Sequence, residues 1–519
     1  MHIGVDVGGT NTDAVLMDGN KVIASIKSPT THDVGSGIVE AVTSIMNTSG
    51  CDVADITSVM IGTTQFTNAF VEGKKLIPVG VVRAALPATA GVLPMTEFPP
   101  HLISRIGRQS YLVKGGYDFD GSEINELDEN GVAEAARDMR KRGITSVVVS
   151  GVFTPINDSM ENRMADIIRN EMPDSEVTLS CEIGRIGLIE RENASIMNAS
   201  LTDLSRTVMT AFRDALVQLN IHCPFFVSQN DGTLMTSEFA EKYPVLTFAS
   251  GPTNSMRGAA FLSGVENSIV ADIGGTTTDV GVLIGGFPRE SAVSVDIGSV
   301  RTNFRMPDVL AVGLGGGSIV RQSDSGVEVG PDSVALDLLT QSRVFGGQTL
   351  TTTDIAVAAG YADIGDKSLV ANLDPAMVEA AVSRVHDLLE ATVDRVKSSK
   401  GDVPVILVGG GSVLVNRDIK GASEVIRPEL SGVANAIGAG LAQVGGEIDR
   451  IYSYSDIGRD ISIAQAKEEA INRAVLAGAS QDSTKIVSIE EMPLAYLPAG
   501  AVRLKVKAIG DLEQAEALK

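Results

Sequence analysis

With 519 residues the chain exceeds what one hydrophobic core supports, so two or more domains are expected. Hydrophobic residues at 44% and charged residues at 21% are ordinary for a folded protein, while a formal net charge of −23 argues against nucleic acid or an anionic membrane as partner. Cys51, Cys181 and Cys223 are far apart and odd in number, which argues against a disulfide framework or a zinc site. No run of about eighteen apolar residues offers a membrane span, and Met1-His-Ile-Gly-Val-Asp carries no signal-peptide pattern; a cytoplasmic protein is expected.

The chain opens on an apolar run into Asp6, continues through Gly8-Gly9-Thr10-Asn11-Thr12-Asp13, and enters a second apolar run, Ala14 to Met17. This reads as strand, glycine turn, strand. A helix over Gly37–Met46 and a strand over Ser58–Ile61 follow, the strand ending on Gly62-Thr63-Thr64. Residues 84–130 are rich in Pro and Gly and read as an insertion. The α/β rhythm resumes with a helix over 131–142, a strand over 145–149, a helix opened by Asp158 with Glu161 three residues on, and a strand over 176–179. A helix over 190–219 is expected to bridge two halves. Then Asp272-Ile-Gly274-Gly275-Thr276-Thr277-Thr278-Asp279 repeats the first turn: the leading Asp, both Gly, two Thr and the closing Asp recur. Strands near 269–273 and 279–284, a helix near 375–397 and a buried strand over 405–408 repeat the plan of the first half. A tail from 456 holds a helix over 463–477 and strands over 485–489 and 502–508, and reads as a small appended element. Strands alternating with helices argue for mixed or parallel sheets covered by helices.

A glycine turn lets backbone amides converge on anionic oxygens, and Thr10, Asn11, Thr276 and Thr277 add donors. Two such turns, one per half, predict a cleft that grips a polyphosphate from both sides. Asp6 and Asp272, at strand ends, suit a hydrated Mg2+, which takes few carboxylates plus water and phosphate. The alternative is that both Asp only cap their turns. The run Val405–Val408 into Gly409-Gly410-Gly411-Ser412 allows close backbone approach to a flat ring or ribose. The small residues of Ala434-Asn-Ala-Ile-Gly438-Ala-Gly440-Leu-Ala442 allow close helix packing.

In this order the segments resemble the actin-like ATPase superfamily of sugar kinases, actin and heat-shock ATPases. The resemblance implies two related α/β, ribonuclease H-like domains around a nucleotide cleft, with ATP and Mg2+ as cofactors. It assigns Asp6, Gly8, Gly9, Thr10, Asn11 and Thr12, and Asp272, Gly274, Gly275, Thr276 and Thr277, to two phosphate loops, with Asp6 and Asp272 as metal ligands. Gly409, Gly410 and Gly411 become the adenosine loop and 434–442 an interdomain connecting helix.

A closer resemblance, over about residues 3–445, is to the hydantoinase A/5-oxoprolinase family. It is carried by Gly62-Thr63-Thr64-Gln-Phe-Thr67-Asn68-Ala69, Glu190-Arg191-Glu192-Asn193-Ala194, Ser250-Gly251-Pro252, Asp272–Asp279, Val312-Gly-Leu-Gly315-Gly316-Gly317-Ser318-Ile319, Gly330-Pro331 and Thr353-Asp354. The family implies an ATP-dependent amidohydrolase that opens a cyclic amide such as a hydantoin, oxoproline or lactam, commonly with a second, separately encoded subunit. Gly315 and Gly316 thereby join the candidate nucleotide contacts. Two positions depart: Ile61 stands where the family commonly has His, and Asp337–Arg343 replaces a Pro-Gly-Pro-containing stretch. Both point to a divergent subgroup.

The resulting expectation is an actin-like domain over 1–190, a second over 191–455 and an α/β appendage over 456–519, in an oligomeric protein. Asp13, Asp279 and Asp354 are candidates to orient the attacking group or a metal-bound water, and each is equally suited to cap a hairpin or helix. Glu190 and Arg191 meet a substrate carboxylate or form a surface ion pair. The five His are scattered without ligand spacing, against a His-rich metal centre. An ATP-driven reactivase or chaperone, a small-molecule kinase, and a ketone carboxylase subunit stand as alternatives.

Overall fold

The computed structural model describes residues 1–8, 11–29, 34–291, 294–323, 326–441, 443–494 and 500–513. β1 (His2–Val7), β2 (Asn11–Asp18) and β3 (Lys21–Pro29) form an antiparallel meander, with β4 (Ser58–Thr63) parallel to β1. The Val34–Ser49 helix packs Ile38, Ala41, Val42 and Ile45 into the core beneath them. A separate parallel sheet follows, made of β5 (Val79–Leu86), β6 (Gln109–Lys114), β7 (Ser146–Gly151) and β8 (Glu176–Leu179) in the order β6-β5-β7-β8. Residues 84–130 thus contribute the Pro100–Ile106 helix and β6 to this sheet. The helix expected over 190–219 is two, Leu188–Ser200 and Thr202–Gln218, because Leu201 leaves helical geometry at φ −105°, ψ −1°. β9 (Phe225–Ser228) returns to lie parallel to β4, followed by β10 (Leu234–Thr236).

The second half repeats the opening. β11 (Ser268–Ile273) and β12 (Thr278–Ile284) form an antiparallel hairpin extended by β13 (Phe287–Pro288). A small hairpin, β14 (Val295–Ile297) and β15 (Val300–Thr302), buries Ile297 and Val300 in the core of the first half. β16 (Val309–Val312) pairs with β12, and β17 (Ser318–Ser323) with β18 (Gly326–Ser333). β19 (Val403–Val408) lies parallel to β11, and β20 (Ala422–Ile426) parallel to β19. β19 is apolar without alternation because both of its faces are covered. One cover is the Pro375–Val396 helix, started by Asp374 and presenting Val378, Val382, Val385, Leu389 and Val393 to the sheet.

In each half an antiparallel meander continues into parallel strands, β3-β2-β1-β4-β9 and β16-β12-β11-β19-β20. The protein is α/β, with two units of ribonuclease H-like strand order. Residues after 456 do not stand apart from them. β21 (Gln443–Ser453) would leave a long open edge, and β22 (Lys485–Pro493) and β23 (Ala501–Asp511) cover it, giving a nine-stranded sheet ordered β22-β23-β21-β10-β9-β4-β1-β2-β3. Among the described residues no helix is long and apolar enough to cross a membrane.

Candidate functional site

The two hairpins carry the same pair of carboxylates in the same register. On β1–β2, Asp6 lies directly opposite Asp13; on β11–β12, Asp272 lies directly opposite Asp279. Each turn is closed alike, by Gly8 N–H to the Asn11 carbonyl at 3.0 Å and Gly274 N–H to the Thr277 carbonyl at 2.9 Å. Gly9 and Thr10 lie outside the described residues, as does Ala442. Gly8 and Asn11 are half-buried and Thr12 is buried in β2; Gly274, Gly275 and Thr276 are half-buried and Thr277 is exposed.

Neighbouring strands bring glycine against these carboxylates. A Cβ at Gly62, on β4, would stand 2.5 Å from Asn254 Nδ2 and against Asp6 Oδ1. A Cβ at Gly409, past β19, would press on Asp272 and stand 2.9 Å from the Ile273 carbonyl carbon. Gly411 is buried and Gly410 exposed, so of the three it is Gly410 that is open to a ligand. Gly315 and Gly316 are buried against the second turn: Gly316 N–H donates to the Gly274 carbonyl at 3.0 Å and Gly317 N–H to the Gly275 carbonyl at 2.7 Å. They brace the backbone of the turn.

Two helices cross beneath the hairpins, Ser250–Ser263 and Ala434–Gly440. They supply partners that sequence reasoning did not single out. Asn254 Nδ2 reaches Asp6 Oδ1 at 3.5 Å and Asn435 Nδ2 reaches Asp6 Oδ2 at 3.3 Å. Ser250 Oγ donates to the Thr63 carbonyl at 3.1 Å, fixing the start of its helix to β4. On β3, Lys27 Nζ donates to Asp13 Oδ2 at 2.8 Å.

Burial dominates the electrostatics. It pushes the Asp6 carboxyl up to about 6, with Asp13 adding like-charge repulsion. It raises Asp13 as well, partly offset by Lys27, and leaves Asp13 Oδ1 without a hydrogen-bond partner. Asp272 is raised by burial against the opposing effects of the Ser255 hydroxyl and Lys27, while Asp279 is pushed up to about 7 by burial and by Asp272. Four carboxylates short of positive charge favour a cation, and the orphaned Asp13 oxygen fits one. Among the described residues no three His, Cys, Asp or Glu converge as a ready-made metal cage.

These shifts carry a sign. A carboxyl whose folded pKa lies above its unfolded value holds its proton longer when folded, so its contribution to stability falls as pH rises between the two values. For Asp279 that window runs from 3.8 to about 7. Asp279→Asn is therefore expected to raise the thermal midpoint of the metal-free protein at pH 8 by roughly 2–4 °C more than at pH 5. Melting curves of the two proteins at both pH values check this, and an equal effect at both overturns it.

Other expectations are corrected. Asp354 completes a capping box with Thr351 and accepts from Ser342 Oγ at 2.8 Å, Val344 N–H at 2.8 Å and Thr351 N–H at 2.7 Å. With both oxygens engaged and the residue fully buried, it holds the 342–354 loop and has no lone pair for an attacking group. Arg191 is neither on the surface nor open to substrate. It is fully buried, donating to the carbonyls of Gly151, Arg185 and Ile186 and to Ser180 Oγ. Its neighbour Glu192 forms a bidentate pair with Arg83, both fully buried. Glu190 stands 3.9 Å from Arg301. Ile61 is core, opposite Val5 and Val227. A cavity of about 840 Å³ opens at the other end of β1, beside His2, Asp18, Arg257 and Phe287, and shares no residue with the turns.

Comparison with known proteins follows this geometry. The hydantoinase/oxoprolinase N-terminal region model matches residues 2–172, and the hydantoinase/oxoprolinase model matches residues 191–398. The caprolactamase subunit alpha of Pseudomonas jessenii is 27% identical over 420 residues, 76% of this chain and 60% of the relative. The acetophenone carboxylase gamma subunit of Aromatoleum aromaticum is 28% identical over 396 residues, 69% of this chain and 53% of the relative. The chain thus spans less than two thirds of the length of these relatives. The crystal structure of ATP-dependent caprolactamase from Pseudomonas jessenii shares the fold with a TM-score of 0.79 at 20% identity, over 98% of this chain and 87% of that one. Nucleotide-free acetone carboxylase does so with a TM-score of 0.70 at 18% identity, over 99% and 88%. The two family matches take in both hairpins and most of the chain between and around them. The chain belongs to the hydantoinase/oxoprolinase family.

Proposed function

We propose that the chain is the ATP-using subunit of an enzyme that activates a cyclic amide for hydrolytic ring opening. The observation that carries this reading is the pair of equivalent hairpins, each with an Asp facing an Asp across the strands beside a glycine turn. The turn amides and Asn11, Thr276 and Thr277 would hold phosphate oxygens, while Thr12, fully buried in β2, is excluded as a contact, and the exposed Gly410 would meet the nucleoside. Asp6 and Asp272 would hold Mg2+, which when bound neutralises polyphosphate charge. Asp13 and Asp279 would orient the attacking group.

The chemistry explains the need for ATP. An unstrained amide carbonyl is a poor electrophile. Transfer of the γ-phosphoryl group to the amide oxygen, with ADP leaving, gives an imidate phosphate. Water then adds at its carbon, the ring nitrogen leaves with a proton as the C–N bond breaks, and a second water hydrolyses the resulting acyl phosphate to a carboxylate and free phosphate. Such a reaction asks the protein for positioning and charge stabilisation more than for a nucleophile. The caprolactamase relative, named as an ATP-dependent enzyme and as a subunit, supports this reading and a second chain beside this one.

The test is phosphate release by the chain with the protein encoded beside it, across lactams, hydantoins and 5-oxoproline. The expected result is one cyclic amide that raises phosphate release, with ring-opened product formed one for one. Stimulation by no cyclic amide overturns the proposal. Stimulation by a protein client alone indicates a reactivase, and a stable phosphorylated product a kinase. A second reading, a ketone carboxylase subunit, is favoured by the acetophenone and acetone carboxylase relatives. It predicts phosphate release that requires both a ketone and bicarbonate.

A further inference from the structure

Lys27 touches both halves of the molecule. It stands opposite Asp13 in the β2–β3 register, and its Nζ donates both to Asp13 Oδ2 at 2.8 Å and to the Gly432 carbonyl at 3.0 Å. Gly432 belongs to the 431–433 turn of the second half, whose Ser431 carbonyl accepts the Gly409 N–H at 3.0 Å. Gly409 in turn packs on Asp272. One line of contacts therefore runs from the first hairpin, through Lys27, to the glycine loop beside the second. Lys27 is also the cation whose charge bears on both Asp13 and Asp272.

The pair is not placed for stability. Lys27 is 39% exposed, and an ion pair open to water at one end contributes little to folding. What distinguishes it is the second bond, to a carbonyl 405 residues away in the chain. That bond ties the first hairpin to the 431–433 turn, which leads into the Ala434–Gly440 helix packed on β1 and β2 and also holds Gly409, a link that a hairpin-internal pair cannot make.

We propose that Lys27 is a positioning residue that clasps the cleft: it fixes Asp13 and, through Gly432, holds the 409–411 loop of the second half in register with it. The proposal rests on the reading of the cleft as the ATP site. Loss of the clasp leaves nucleotide binding to the turns and removes the alignment of the halves that phosphoryl transfer requires.

The experiment uses the full chain with its partner protein and compares wild type, Lys27→Met and Lys27→Arg. Mg-ATP affinity, phosphate-release kinetics and the nucleotide-free thermal midpoint are measured for each. In Lys27→Met, kcat is expected to fall roughly tenfold or more while KM for ATP moves less than about threefold. The midpoint should stay within about 2 °C of wild type, and Lys27→Arg, which keeps two donors and the charge, should recover most of the rate. Unchanged kcat in Lys27→Met overturns the proposal. So does a rise in KM alone, which makes Lys27 a nucleotide contact, or a rate loss matched by a large loss of stability, which makes the pair structural. If wild type binds no Mg-ATP, the reading of the cleft falls and takes the clasp with it. If wild type binds and Lys27→Met behaves as wild type, the clasp alone falls.

Discussion

Asp272→Asn is expected to cut Mg-ATP turnover by about 10²–10³-fold, equivalent to ~3–4 kcal/mol of lost charge stabilisation, while the fold persists. Asparagine keeps the shape of the side chain and can still meet the Ser255 hydroxyl, so packing at the end of β11 is preserved. What disappears is the negative charge beside the glycine turn. That charge is costly to the empty protein, because burial already raises the Asp272 carboxyl. The substitution should therefore leave the thermal midpoint unchanged or raise it, while nucleotide affinity collapses. Calorimetric titration with Mg-ATP, alongside melting curves, separates the two effects. Unchanged affinity sinks the reading in which both hairpins grip one polyphosphate.

Gly438→Val is expected to do the opposite, removing the fold before any question of binding arises. A Cβ at Gly438 would stand 2.5 Å from the Asn254 carbonyl carbon and closer still to its oxygen. The crossing is equally tight at Gly258, and the Ala434–Gly440 helix lies as close to Gly4 on β1. A Cβ at Gly258 would stand 2.7 Å from the Ala434 carbonyl carbon, and one at Gly4 would stand 2.7 Å from the Gly440 nitrogen. These are backbone-to-backbone contacts, so no rotamer change relieves them. Interiors at native density do not absorb such an intrusion, and the destabilisation should exceed about 4 kcal/mol. Soluble yield and a thermal melt read this directly. A Gly438→Val protein that melts within about 2 °C of wild type would show that the helices are not in contact.

The hairpins were legible in the sequence because their information is local. Asp, two glycines and a closing Asp within eight positions specify a turn and its flanking register without reference to anything else. The strand over 176–179 was legible for the same reason. The remainder of the site is assembled from distant segments. Asp6 and Asn254 are 248 residues apart, and Asp6 and Asn435 are 429 apart, yet both amides close on one carboxylate. Nothing in the spacing of an Asn on a small-residue helix announces that partner. Arg191 misled for a related reason: a charged residue on a helix reads as exposed, and only the packing of the Leu188–Ser200 helix on β7, which brings the Gly151 carbonyl, together with the Arg185 and Ile186 carbonyls just before the helix, lets it be buried. Asp354 followed the opposite course. Thr351 and Asp354 stand at the spacing of a capping box, a local signal that outweighed the family resemblance.

The nine-stranded sheet has a consequence for the order in which this protein is made. Its strands come from both ends of the chain, β1 to β4, β9 and β10, and finally β21 to β23, whereas the six-stranded sheet lies wholly between Ser268 and Ile426. The later-encoded half is therefore an excursion within the earlier one. During synthesis it can close as a unit while β21, which pairs with β10, has yet to emerge. The half that begins first is the half that finishes last.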